Sequence, residues 1–202
     1  SHTIAEYLLP TWLVRLRGEM GPTPGVNLVV CNSGQVASLV SEGRADVGFV
    51  ESLEVPPGLS TAVIATDELV LVVPPSHPWT RRTNRTIGSA ELAATPLVTR
   101  EAGSGTRLVL DHALAAAAPD SVRPAPALEL AATTAIRHAV LAGAGPAVIS
   151  VLAVREDLAT GRLIRITPRA LDLRRRLRGV WPAGPLPAGP VRELLRIASA
   201  GA

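Results

Sequence analysis

Residues 95–107, read as TPLVTREAGSGTR, limit the possible folds more than any other stretch of this chain. Pro96, Leu97 and Val98 begin a short apolar run that suits a buried strand. Gly103-Ser104-Gly105 breaks the run, and from Thr106 onward Leu108, Val109, Leu110, Ala113, Leu114 and Ala117 recur at helical spacing. The unit is strand, glycine-rich turn, helix. Its glycines permit close approach of the backbone to a ligand. The first amides of a helix have no partner inside it, and the helix dipole makes that end attractive to anions. The Ser104 and Thr106 hydroxyls add donors there, and Arg100 adds charge just ahead of the turn. The same residues also suit a plain helix cap, and the motif alone does not separate the two readings.

Similar units recur along the chain. An apolar pattern at Ile4, Leu8, Trp12 and Leu16 predicts a helix headed by Ser1 or Thr3, with a kink or restart at Pro10. A turn over 21–25 leads to a buried strand over 26–31. Asn32-Ser33-Gly34 then opens a helix stopped by Gly43. Strands are expected over 47–50, 60–65 and 68–73, with Glu51 just beyond the first. Ser89 is expected to cap a short helix over 90–94. After the central unit come a strand over 128–130, a helix from Thr133, a strand over 147–150 and a helix over 151–158. Strands over 163–166 and 173–181 and a last helix over 190–198 complete the chain. Strands alternating with helices predict a mostly parallel sheet covered by helices. The pattern restarts near Pro96, which favours two Rossmann-like α/β lobes over one sheet.

Four helix starts carry small hydroxyl or amide groups: Ser1/Thr3, Asn32/Ser33, Ser104/Thr106 and Thr133/Thr134. Ligands of open α/β sheets bind beyond the carboxyl ends of the strands. That rule places the four starts on one rim of each lobe, so facing lobes would direct them into a shared cleft. An anion could be held there by dipoles and hydroxyls without lysine.

Composition narrows the function classes. All 20 basic residues among the 202 are arginine, and the net charge is only +3. Aromatic residues make up 2%, which leaves almost no platform for stacking bases. Cys31 is the only cysteine, so no internal disulfide forms, and a reduced cytoplasm is compatible. His2, His77, His112 and His138 lack metal-ligand spacing, so no metal is expected. Nothing implies a cofactor, and Ser104 does not sit in a nucleophile elbow. The run 174–178, RRRLR, reads as a solvated strand face rather than a phosphate patch. The start does not read as a signal peptide. The longest uncharged run, 139–154, is too short and too broken for a membrane span.

The chain resembles the effector-binding domain of LysR-type transcriptional regulators over essentially its whole length. The motifs are SHTIAEYLLP at 1–10, GRADVGFVE at 43–51, DELVLVVPPSHP at 67–78, REAGSGTR at 100–107 and ATTAI at 132–136. The REAGSGTR form is similar to the branch with Calvin-cycle and sulfur-related regulators. The resemblance implies an α/β fold of the type 2 periplasmic-binding-protein kind, with a ligand cleft between two lobes joined by crossing strands. Lobe I would be residues 1–73 and 180–202, and lobe II residues 74–179. The effector contacts it implies are Ser1, Thr3, Asn32, Ser33, Glu51, Arg100, Glu101, Gly103, Ser104, Gly105, Thr106 and Thr133. A DNA-binding winged helix would precede residue 1, and the first strand of lobe I would run directly into Ser1. The implied whole is a cytoplasmic, non-enzymatic, homodimeric or homotetrameric sensor of a small anionic effector. It would meet DNA only through the missing N-terminal domain and would not engage a membrane. The competing reading is an extracytoplasmic solute-binding protein of an ABC importer.

Overall fold

The structure, a computed structural model, describes residues 1–21 and 25–200. The turn expected over 21–25 falls on 22–24, which lie outside the described residues, as do 201–202. The elements are α1 (His2–Tyr7), α2 (Leu9–Met20), α3 (Ser33–Ser41), β1 (Gly48–Val50), β2 (Leu59–Val73), β3 (Thr86–Ile87), α4 (Ser89–Ala93), β4 (Val98–Arg100) and α5 (Gly105–Ala117). Then follow β5 (Leu128–Leu130), α6 (Thr133–Leu141), β6 (Ala147–Ser150), α7 (Val151–Ala159), β7 (Ile164–Pro168), β8 (Arg174–Pro182) and α8 (Gly189–Ala200). Contacts divide the chain into two compact units. The first comprises Ser1–Asp67, Gly103–Gly105 and Arg175–Ala202; the second comprises Glu68–Ala102 and Thr106–Arg174.

In the first unit β1, β8 and the leading part of β2 lie side by side in that order. β1 runs antiparallel to β8, with Phe49 opposite Gly179. Pro10 has no amide to give, so the leading helix breaks at Leu8 and restarts as α2 with the proline in its first turn. Leu9, Trp12 and Leu16 bury one face of α2 in a core shared with Leu194, Leu195 and Ile197 of α8. Val36 and Val40 of α3 pack with Val50 and Val180.

The expected buried strand over 26–31 is not there. That segment joins no strand ladder among the described residues, and Val26, Leu28, Val29 and Val30 are each 44–58% exposed. An extended segment is held as a strand by its neighbours' hydrogen bonds, so its apolar run alone does not make it one. Beside it opens a cavity of about 610 Å³, lined in part by Leu13, Val26, Leu28 and Phe49. Of the candidate site residues only Ser1 lines it.

In the second unit the strand order is β3-β7-β2-β6-β4-β5. β4 is parallel to β5 and β6, and β3 is parallel to β7. β2 runs antiparallel to both of its neighbours there, with Leu69 opposite Ser150 and Leu71 opposite Ile166. Five of the six strands are therefore parallel to one another, as expected of a mostly parallel sheet, and β2 alone opposes them. Helical crossovers keep the strands around β2 parallel to one another, while β2 arrives from the first unit against them. Leu71, Leu97, Val109, Leu114, Val148 and Ile166 belong to this unit's core.

Two expected features merge or move. The strands over 60–65 and 68–73 are one 15-residue strand, β2, because Asp67 is buried and ion-paired rather than turned out to water. Ser89 does not cap α4: Gly88 is the cap residue, and the Ser89 hydroxyl donates to the Ala117 carbonyl at 3.1 Å. No helix among the described residues is long and apolar enough to cross a membrane.

Candidate functional site

The first unit gathers its candidate residues around Glu51, at the C-terminal end of β1. Its amide donates to Ser33 Oγ at 3.1 Å. Oε1 accepts from the Thr3 amide at 2.9 Å, the Ile4 amide at 3.3 Å and the Ser1 hydroxyl. Oε2 pairs with Arg175 Nη1 at 2.8 Å. Arg175 also binds Asp67, with Nη2 to Oδ2 at 2.7 Å, and donates to Thr3 Oγ1 at 3.2 Å. Glu51, Asp67 and Arg175 are all buried. Burial by itself would raise the Glu51 pKa. The Arg175 charge and hydrogen bonds from Ser1 and Thr3 outweigh it and hold the carboxyl below the usual carboxylate range.

The start of α1 is thus supplied with an anion by the protein itself. The Ser1 side chain makes no cap bond to α1; it serves Glu51 instead. At α3, Asn32 is a capping residue in the strict sense. Its Oδ1 accepts from the Gln35 amide at 3.0 Å and the Gln35 side chain accepts from the Asn32 amide at 3.2 Å. Ser33, buried beside it, accepts from Glu51 and keeps its own hydroxyl proton to donate.

The glycine-rich turn packs with these residues. The Gly103 carbonyl accepts from the Gly34 amide at 3.2 Å. A Cβ on Gly105 would lie 2.6 Å from the Glu51 carbonyl carbon, so no side chain fits there. Gly103 has φ +85° and sits against the Asn32 side chain. The close approach anticipated for a ligand at Gly105 is made to the chain's own backbone. Ser104, between the two glycines, is buried.

In the second unit Arg100 ends β4. Successive residues of a strand point to opposite faces, yet Arg100 is bidentate to its neighbour Glu101, Nε to Oε2 at 2.9 Å and Nη2 to Oε1 at 3.0 Å. The chain leaves the strand at Glu101, which makes this possible. Arg100 Nη1 donates to Thr133 Oγ1 at 3.2 Å, and Thr133 opens α6, whose N-cap Ala132 offers no side-chain acceptor. The Arg100 side chain is 4% exposed and that of Glu101 is 21% exposed. Thr106 lies buried in the first turn of α5.

The structure therefore brings Ser1, Thr3, Asn32, Ser33, Glu51 and Gly103–Gly105 together in the first unit, and Arg100, Glu101 and Thr133 in the second. Sequence reasoning missed Arg175 and Asp67. The RRRLR run is not a uniformly solvated face: Leu173, Arg175 and Leu177 alternate inward while Arg174 and Arg176 face out. That alternation was the available signal. Among the described residues no group of three or more His, Cys, Asp or Glu side chains could hold a metal ion.

Comparison with known proteins gives a consistent result. The family described as "LysR substrate binding domain" matches residues 1–202. An uncharacterized HTH-type transcriptional regulator of Mycobacterium tuberculosis is 48% identical over 201 residues, covering 96% of this chain and 64% of the relative. The HTH-type transcriptional regulator CysL of Bacillus subtilis is 30% identical over 177 residues, covering 88% of this chain and 57% of CysL. The chain thus spans less than two thirds of the length of these relatives. Among solved structures, the regulatory domain of Synechocystis CcmR in complex with 2-PG superposes with a TM-score of 0.82 at 25% identity, over 98% of this chain and 93% of that one. The cofactor-binding domain of the Cbl transcriptional regulator gives 0.80 at 27% identity, over 100% and 86%.

Proposed function

Because this chain belongs to the LysR substrate-binding domains, with the type 2 periplasmic-binding-like fold of that family, we propose that it is the effector sensor of a transcriptional regulator. It binds a small anionic metabolite, and binding shifts a conformational equilibrium that the DNA-binding part of the full protein reads. The assembly is a homodimer or homotetramer, acting in the cytoplasm without turnover of its ligand. The observation that carries this reading is the family match over the whole chain. It disfavours the importer alternative.

The anionic character of the effector rests on the chemistry of the candidate residues. Arg100 supplies a guanidinium, and Ser33, Ser104, Thr106 and Thr133 supply hydroxyls at the starts of α3, α5 and α6. The CcmR domain holds 2-PG at 25% identity, which supports a ligand of similar polarity here. Ser1 and Thr3 act indirectly in this scheme, by holding Glu51.

Native mass spectrometry of the purified chain identifies what it carries. Calorimetry with 2-PG, sulfate and phosphate then compares the parent with Ser104→Ala, Thr106→Val and Thr133→Val. A hydrogen bond to a charged partner is worth about 1.5–3 kcal/mol, so each variant binds roughly tenfold to a hundredfold more weakly. Ser150→Ala is the control, since that hydroxyl accepts from the Leu152 amide as the cap of α7. Melting temperatures report folding. Unchanged affinity in Ser104→Ala and Thr106→Val would reduce the Gly-Ser-Gly turn to a helix cap.

A further inference from the structure

Residues 69–90 contain three arginines and no acidic residue. Beyond β2 this segment forms two 3₁₀ turns, Pro78–Arg81 and Thr83–Arg85, and then enters β3 beside β7. Arg82 is engaged within it, bidentate to Glu91 at 2.6 and 2.7 Å, with its guanidinium 5.9 Å from the centre of the buried Trp79 ring. Arg81 and Arg85 are exposed. So is Arg169, which follows β7 and donates from Nη2 to Thr86 Oγ1 at 3.2 Å. Its amide donates to the Ile87 carbonyl at 2.8 Å, which ties the two segments together. Among the described residues none of these three arginines is paired with a carboxylate, whereas exposed Arg44, Arg165 and Arg174 each are. The backbone here holds a conformation that non-glycine residues rarely adopt: Asn84, Arg85 and Ala170 have φ of +56°, +49° and +57°. These are the left-handed non-glycine residues among those described, and all three lie in this one corner. Such conformations persist only where the surrounding structure enforces them.

We propose that Arg81, Arg85 and Arg169 form a docking surface for the phosphate backbone of duplex DNA. This rests on the regulator reading, which sets the domain beside DNA, and goes beyond it: the effector domain itself touches the duplex, in addition to the N-terminal domain. The planar, permanently charged fork of arginine suits phosphate oxygens. Thr83, Asn84 and Thr167, exposed on the same turn and strand, are side-chain types that also contact phosphates. No large apolar side chain is exposed over residues 64–107 or 129–185. A protein partner needs a desolvated apolar centre, which this corner lacks, and a single strand needs aromatic platforms. Duplex phosphates need neither. The contact reads charge and not sequence, so it adds affinity for any DNA that flanks a binding site.

The test is fluorescence anisotropy of a labelled duplex of arbitrary sequence, about 30 base pairs long, titrated with this chain as salt rises from ~0.02 M to ~0.2 M. Three phosphate contacts predict that log K falls against log salt with a slope of about −2.7, roughly 0.9 for each contact. The triple variant Arg81→Gln, Arg85→Gln, Arg169→Gln is expected to bind about tenfold more weakly at ~0.02 M salt and to lose most of that slope. Each single variant reduces the slope by about one. The comparison is a second triple variant, Arg17→Gln, Arg155→Gln, Arg176→Gln, which removes the same charge from exposed arginines on α2, α7 and β8. It is expected to keep the parent's slope and to bind within about threefold of the parent. Melting temperatures report folding, and if Arg169→Gln destabilises the chain, Arg81→Gln with Arg85→Gln carries the test. An equal loss in both triple variants overturns the proposal, because net charge alone then explains the binding. A parent that fails to bind the duplex overturns it too. So does tighter binding to polyglutamate than to the duplex, which would make the corner a seat for an acidic protein. None of these outcomes bears on effector binding, so the sensor reading stands or falls separately, by calorimetry with small anions.

Discussion

Glu51 shows what a single buried carboxylate does in this fold. Its pKa, held by Arg175 and its hydrogen bonds below an ordinary 4.5, makes the folded state prefer the ionised form. The unfolded chain takes up the proton first as pH drops through 4.5. The stabilisation is therefore complete above that pH and is lost progressively as pH falls below 4.5. Melting curves of the parent and Glu51→Gln at pH 7 and pH 3 check this: the parent loses the larger share of its stability on acidification. Arg175→Met leaves two buried carboxylates without their guanidinium and is expected to cost about 3–5 kcal/mol in urea unfolding at neutral pH. Glu51 was legible in the sequence as a polar residue at a strand end, but its role was not. Its two main attachments come from Arg175 and from the backbone of α1, and Asp67 is 108 residues from Arg175. Pairings at such separation leave no local spacing to read.

The glycine-rich turn carries the corresponding lesson for elements. Gly105 stands in the first turn of α5, where alanine would ordinarily stabilise a helix by about 0.5–1 kcal/mol. A Cβ at 2.6 Å from the Glu51 carbonyl carbon reverses the sign. Gly105→Ala is expected to lower stability by about 1–3 kcal/mol, the usual cost of overpacking. Gly18→Ala, in the exposed part of α2 with nothing within 4 Å, is expected to raise it by up to about 1 kcal/mol. Urea denaturation of the two variants compares them directly. The strand-turn-helix unit at 95–107 was readable because periodicity and glycine punctuation agree there, and α5 begins at Gly105, one residue from the expected start. Residues 26–31 have the apolar run without a neighbouring strand, and β2 has a polar residue in its middle that the fold neutralises. In both cases what decides the element is its surroundings, which periodicity does not encode.

At the scale of the molecule, neither unit is a continuous piece of chain, and β2 belongs to both. The strand passes from Asp67 to Glu68 without a turn, so no loop residues mark the passage in the sequence. Melting one unit frees half of a strand whose other half is hydrogen-bonded in the second. Unfolding is therefore expected as one cooperative transition, with equal calorimetric and van't Hoff enthalpies in scanning calorimetry. Two separate transitions would show that β2 tolerates being half ordered. Synthesis on the ribosome meets the same arrangement as a matter of timing. All residues of the second unit, 68–102 and 106–174, have been made when Arg174 is added. Residues 1–67 of the first unit are made before the second unit, yet the first unit is the one completed later. Glu51 and Asp67 emerge early and wait more than a hundred residues for the one guanidinium that neutralises them both. Until Arg175 leaves the tunnel, those two carboxylates are cheaper in water than in a core, and their own charge keeps the nascent first unit open.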